Sequence, residues 1–151
     1  MLGKLTRWLR MLGYDTKYTA NLDDKTLLEL ARVEGRVLLT RDVELCRLAT
    51  GRQLSNFLVE GKSGAERLAA LSKAFGIKLK LDPNTSRCPK CNTRIKSINK
   101  NLILQSIPSA TARFFEEFWK CPECGKIYWQ GAHWRRIIET LEKAREHRDS
   151  L

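Results

Sequence analysis

Apolar residues recur along the first half of the chain at two distinct periods. Leu2, Leu5, Trp8, Leu9 and Leu12 repeat at three and four residues and share one helical face, with Lys4, Arg7 and Arg10 opposite. This predicts a helix over residues 2–12, ended by Gly13 as a C-terminal cap. The Thr/Tyr alternation from Asp15 to Thr19 predicts a short strand. Asp23 or Asp24 can cap a second helix reaching about Glu34, with Leu27, Leu28, Leu30 and Ala31 inside it and Gly35 ending it. Val37, Leu38 and Leu39 then form a short continuous apolar run, the pattern of a buried parallel strand. Thr40, Arg41 and Asp42 stand at its carboxyl end. A helix through Leu45, Leu48 and Ala49, a strand over Leu54 to Val59, and a helix from Ala65 to Phe75 complete the series.

Helices alternating with strands imply an α/β domain, a parallel sheet with helices on its faces. We assign it residues 1–80, with a connector over 77–87. Trp134, Ile137, Ile138 and Leu141 mark an amphipathic C-terminal helix over 131–148. Doubly wound domains nearly always open with a strand at the centre of the sheet, whereas this chain opens on a helix. The expectation is a sheet lacking its usual first strand, or a reading frame that begins upstream.

Between domain and final helix, residues 86–130 carry two knuckles, Cys88-Pro89-Lys90-Cys91 and Cys121-Pro122-Glu123-Cys124. Two intervening residues let one tight turn aim two thiolates at one ion, and a second turn closes the tetrahedron. Proline in each knuckle pre-sets the turn. The expectation is a zinc ribbon with Cys88, Cys91, Cys121 and Cys124 as ligands. All-sulfur ligation leaves no open position, so the zinc is structural. Two disulfides are the competing reading. The absence of a secretory signal and a reducing cytoplasm disfavour them.

Charge changes the picture next. The 28 Lys and Arg residues outnumber 17 Asp and Glu, for a net charge of +11. Of these, 16 basic and 10 acidic residues precede Cys88, so the excess is spread over both halves. A compact basic surface points to a polyanion, with nucleic acid as the first candidate and a protein partner left open. No apolar run is long enough to span a membrane. Lys4, Arg7 and Arg10 fit either phosphate contact or a solvated face. His133 can bind phosphate or cap the last helix. Asp42 stands where α/β folds place ligands, and Asp23 and Asp24 open the preceding helix. All three suit either helix capping or a site for Mg²⁺ or Mn²⁺. Gly61-Lys62-Ser63 lacks the glycine a phosphate-binding loop needs at position 56, which is Asn.

Several segments together resemble the Mut-seven C-terminal RNase domain family, a PIN-like domain followed by a zinc ribbon. They are residues Met1 to Tyr14, Leu38-Leu39-Thr40-Arg41-Asp42, both knuckles, Phe118-Trp119-Lys120-Cys121, and Tyr128 to Trp134, with Ala132 where the family commonly has serine. The resemblance implies a metal-dependent ribonuclease that clusters acidic residues around Mg²⁺ or Mn²⁺. Asp42 would be a ligand, Asp23 or Asp24 the second acid, and Arg41 a contact to RNA. It also implies a strand before the first helix that ends in an aspartate. Without that acid, the alternative is a non-catalytic RNA-binding or protein-interaction module held together by the ribbon.

Overall fold

The computed structural model describes residues 2–151; Met1, the first residue of the opening family segment, lies outside them. Helix α1 (Gly3–Met11) buries Leu5 and Leu9, as the periodicity requires. Gly13 follows at φ +95°, and a Cβ there would lie 2.8 Å from the Thr85 carbonyl oxygen. Glycine is therefore needed twice over, for the left-handed turn and for the close approach of the connector. Helix α2 (Asp24–Glu34) is capped by the Asp23 carboxylate, which accepts from Thr26 N. Gly35 ends it in the left-handed conformation. Strand β1 (Leu38–Thr40) leads into α3 (Val43–Gly51), β2 (Asn56–Leu58) and α4 (Gly64–Phe75).

Strands β1 and β2 pair in parallel, Leu38 opposite Asn56 and Thr40 opposite Leu58. Alternation along a strand sends successive side chains to opposite faces. Leu38 joins Leu28, Ala31, Leu45 and Ala49 under α2 and α3. Leu39 and Phe57 pack on the other face, against a core of Leu5, Leu9, Val59, Leu68 and Leu71. The C-terminal helix α6 (Ala132–Asp149) returns to that same core and inserts Leu141 and Ala144 against α4. Fully burying each such leucine contributes about 1.5–3 kcal/mol.

Between α4 and α6 lies the ribbon. Strands β3 (Lys96–Ile98), β4 (Phe118–Lys120) and β5 (Ile127–Tyr128) form an antiparallel sheet in that order. Two 3₁₀ turns and the short helix α5 (Ser109–Phe114) are inserted between β3 and β4. Phe118 and Trp119 are buried, whereas Phe114 is 75% exposed.

One expected element is absent. Asp15 to Thr19 is not a strand. At its centre the backbone is taken by side chains from elsewhere: Thr16 N donates to Asn92 Oδ1 at 3.1 Å, and the Thr16 carbonyl accepts from Arg10 Nε at 2.9 Å. Thr16 therefore has neither group left to offer a ladder.

Candidate functional site

The carboxyl end of β1 opens onto a cleft of about 930 Å³, lined on one side by Leu5 and Leu9 and on the other by Leu39, Thr40, Arg41 and Asp42. Leu38 N donates to Ser55 O and Thr40 O accepts from Val59 N, so both face β2. The alternate residue, Leu39, therefore turns its N–H and C=O toward the opposite edge of the strand. Asp42 is exposed and caps α3, its Oδ1 accepting from Glu44 N at 2.8 Å and Leu45 N at 3.2 Å. Its own N–H donates to Thr40 Oγ1. The cap uses Oδ1 and leaves Oδ2 outside it.

The three candidate acids do not come together as a cage. Asp42 lines the cleft; Asp23 and Asp24 are not among the residues lining it. Asp23 turns both carboxylate oxygens to Thr26, which holds its carboxyl below the usual carboxylate range. Asp24 sits exposed in the first turn of α2. Among the described residues, no three acidic groups gather closely enough to share an ion. What suits a hard cation here is one carboxylate, with phosphate oxygens and water completing the shell. Asp15, which no sequence motif marks, also lines the cleft. Its carboxyl is held below its ordinary value by Asn92 first and Arg36 second.

The cysteines do come together. The Sγ atoms of Cys88, Cys91, Cys121 and Cys124 all lie within 4.8 Å of one another. Cys88 and Cys124 are 3.7 Å apart, Cys91 and Cys121 3.3 Å. A tetrahedron with Zn–S bonds of about 2.3 Å has edges of about 3.8 Å, so this set fits a thiophilic ion. The two knuckles repeat one backbone turn: Asn92 N donates to Cys88 O and Gly125 N to Cys121 O, with Asn92 at φ +71° and Gly125 at φ +76°. Burial works against the Cys91 thiolate, but hydrogen bonds from Thr93 outweigh it and bring that thiol to about 6. Burial pushes Cys121 up to about 12. A bound cation would favour the thiolate at each of the four positions and release protons on binding. Tyr128 OH lies 3.0 Å from Cys88 Sγ. The fifth cysteine, Cys46, stands apart in α3, its thiol raised by burial and then by Asp42.

The basic candidates separate. Lys4 and Arg7 are exposed on α1, Arg41 is exposed at the cleft, and His133 is exposed in the first turn of α6 without capping it. Arg10 instead points its guanidinium at the first knuckle, Nη1 donating to the Pro89 carbonyl at 2.9 Å and to the Lys90 carbonyl at 3.3 Å.

The family model of the Mut7-C RNase domain matches residues 1–141. The chain belongs to the Mut7-C RNase domain family. That match takes in α1, the β1–Asp42 segment, both knuckles and most of α6, so the Mut7-C RNase domain here comprises α/β layers and ribbon together. Comparison with curated proteins and with solved structures returns no match. Membership in the Mut7-C RNase domain family indicates a ribonuclease-type function, with RNA as the class of substrate. Among the described residues, no helix is long and apolar enough to cross a membrane.

Proposed function

We propose that this chain is a metal-dependent ribonuclease of PIN-like type whose site is the cleft at the carboxyl end of β1. The observation that carries this reading is Asp42. It follows a buried strand in the segment that resembles the family motif, it is exposed to the cleft, and one of its oxygens lies outside the helix cap. In this reading Asp42 holds Mg²⁺ or Mn²⁺ as the one carboxylate, with phosphate oxygens and water completing the shell, while Asp23 and Asp24 serve the start of α2. Such an ion activates water and stabilises the leaving oxygen when bound. Arg41 holds the phosphate, and Lys4, Arg7 and His133 extend the contact along the RNA. The edge of β1 away from β2 pairs with no strand among the described residues and borders the cleft. Zinc occupies the four cysteines as a structural ion, one per chain. The reduced cysteines suit a cytoplasmic location.

The test compares cleavage of labelled single-stranded and structured RNA by the wild type and Asp42→Asn, with and without Mg²⁺ or Mn²⁺. Asn keeps the shape and the capping oxygen but loses the charge that holds the ion. Metal-dependent cleavage that survives Asp42→Asn unchanged rules this site out. One observation favours a second reading. Since no acidic trio assembles among the described residues, a non-catalytic RNA-binding or protein-interaction module is the reading that remains if neither protein cleaves.

A further inference from the structure

Three side chains, Arg10, Asn92 and Asp15, tie the first knuckle to the α/β layers, and Arg36 and Arg87 brace them. Arg10, at the end of α1, donates to the Pro89 and Lys90 carbonyls inside the knuckle and, through Nε, to the Thr16 carbonyl. Asn92, immediately after Cys91, accepts from Thr16 N through Oδ1 and donates to Asp15 Oδ1 through Nδ2 at 2.6 Å. Asp15 gives its other oxygen to Arg36, 3.0 Å away, just before β1. Arg87 Nη1 donates to the Asn92 carbonyl at 3.0 Å. The segment held in this way, residues 14–18, lines the cleft beside Asp42.

We propose that Arg10, Asn92 and Asp15 form a latch through which metal loading of the four cysteines orders the cleft wall at residues 14–18. Arg10 binds two carbonyls that share one orientation only while the Cys88–Cys91 turn is closed, and the metal closes that turn. Asn92 can aim both ends of its amide at Asp15 and Thr16 only from its left-handed backbone, which is part of the same turn. Residues 14–18 have no ladder of their own; Tyr14 is held by Leu9 O and Lys78 N and Lys17 by Glu34, while the Thr16 backbone is held by Asn92 and Arg10. Coupling between two sites is reciprocal, so breaking the latch weakens metal binding by as much as metal binding strengthens the latch.

The latch rests on the metal reading of the cysteines and is independent of the nuclease reading. Its test is amide hydrogen exchange on the full chain, reduced and metal-free, then loaded with one equivalent of zinc. Thr16 N–H is the reporter. Zinc is expected to slow its exchange at least about tenfold in the wild type. Asn92→Gly keeps the left-handed turn, as Gly125 does in the second knuckle, but removes the amide. It is expected to bind one zinc and protect the second knuckle while Thr16 exchanges fast in both states. Arg10→Lys loses the fork to Pro89 and Lys90 and is expected to weaken zinc binding by roughly 10- to 100-fold, the range for groups that orient metal ligands. Zinc bound with unchanged exchange at Thr16 overturns the latch alone. Persistent zinc-dependent protection of Thr16 in Asn92→Gly overturns it equally. A wild type that binds no zinc removes the latch and the metal reading together.

Discussion

In the α/β layers, apolar side chains from α1, β2, α4 and α6 close over one another: Leu68, Leu71 and Leu141 are at most 1% exposed. The ribbon buries two smaller clusters, Ile95 and Trp119 around Cys88 and Cys121, and Ile103, Ile107 and Phe118 beneath the inserted turns. The first region can order itself by removing apolar area from water. The second buries less, and an ion on its four cysteines would hold the knuckle turns that this packing does not reach. The two meet through polar groups, and that junction is where the difference between them becomes informative.

Metal removal breaks the comparison most strongly. Structural zinc sites bind with roughly 10–16 kcal/mol in peptides near neutral pH, and that energy is folding energy. Chelation, or Cys121→Ser, is expected to abolish amide protection over β3, β4 and β5 while α2, α3 and α4 keep theirs. Loss of protection in α4 to the same extent would show that the layers depend on the ribbon for their core.

The converse experiment is Leu141→Ala. Leu141 lies after the ribbon in sequence yet inside the core of the α/β layers, 1% exposed. Truncation of a buried leucine costs about 2–5 kcal/mol. Urea unfolding followed at α4 should shift by that amount, with zinc stoichiometry unchanged. A shift below about 1 kcal/mol would place α6 outside the cooperative unit.

What the sequence carried and what it missed follow the same division. Both knuckles were legible because ligation is local: two cysteines separated by two residues need only one turn. Helices α1 to α4 were legible because their periods and caps lie within each segment; Asp23, Asp42 and Ser63 each accept a hydrogen bond from their own helix. The strand expected at Asp15 to Thr19 failed where Asn92, far along the chain, takes the Thr16 N–H and the Asp15 carboxylate, and Arg10 takes the Thr16 carbonyl. Arg10 read as part of a basic stripe for the same reason: nothing within α1 reveals that its carbonyl partners lie 79 and 80 residues away. One local signal was available. Asn92 and Gly125 hold equivalent places after their knuckles, and an asparagine where its counterpart is glycine hints that its side chain has a task.

A smaller effect concerns RNA. Asp42→Asn is expected to remove metal-dependent cleavage while shifting unfolding by only a few tenths of a kcal/mol, since Asn caps as well as Asp. Lys4→Ala with Arg7→Ala should lower the logarithmic salt slope of single-stranded RNA binding by roughly 0.7 for each phosphate no longer neutralised. Arg10→Ala should weaken zinc binding rather than change that slope, because its donors are committed to carbonyls. If all three substitutions lower the slope equally, Arg10 belongs with the RNA-facing residues.

The smallest expected effect is the dependence of the junction on pH, carried by Asp15. Asn92 and then Arg36 stabilise its carboxylate, so its pKa in the folded chain lies below the unfolded value of about 3.9. A depressed folded pKa means that the contribution to stability is fully present above the unfolded value and is lost as pH falls through the folded one. The Asp15 side chain is 47% exposed, so solvent screens the pair with Arg36 and the contribution stays below about 1 kcal/mol. Asp15→Asn keeps the shape and removes the titration. The melting temperature of the wild type should therefore exceed that of Asp15→Asn by a constant margin above about pH 4, and the two should converge below it. Because Asp15 belongs to the latch, thiol protonation at low pH releases metal at different points in the two proteins, so the margin is read together with the zinc content at each pH. A margin that widens on acidification would reverse the sign and show that Asp15 is strained rather than held by its partners.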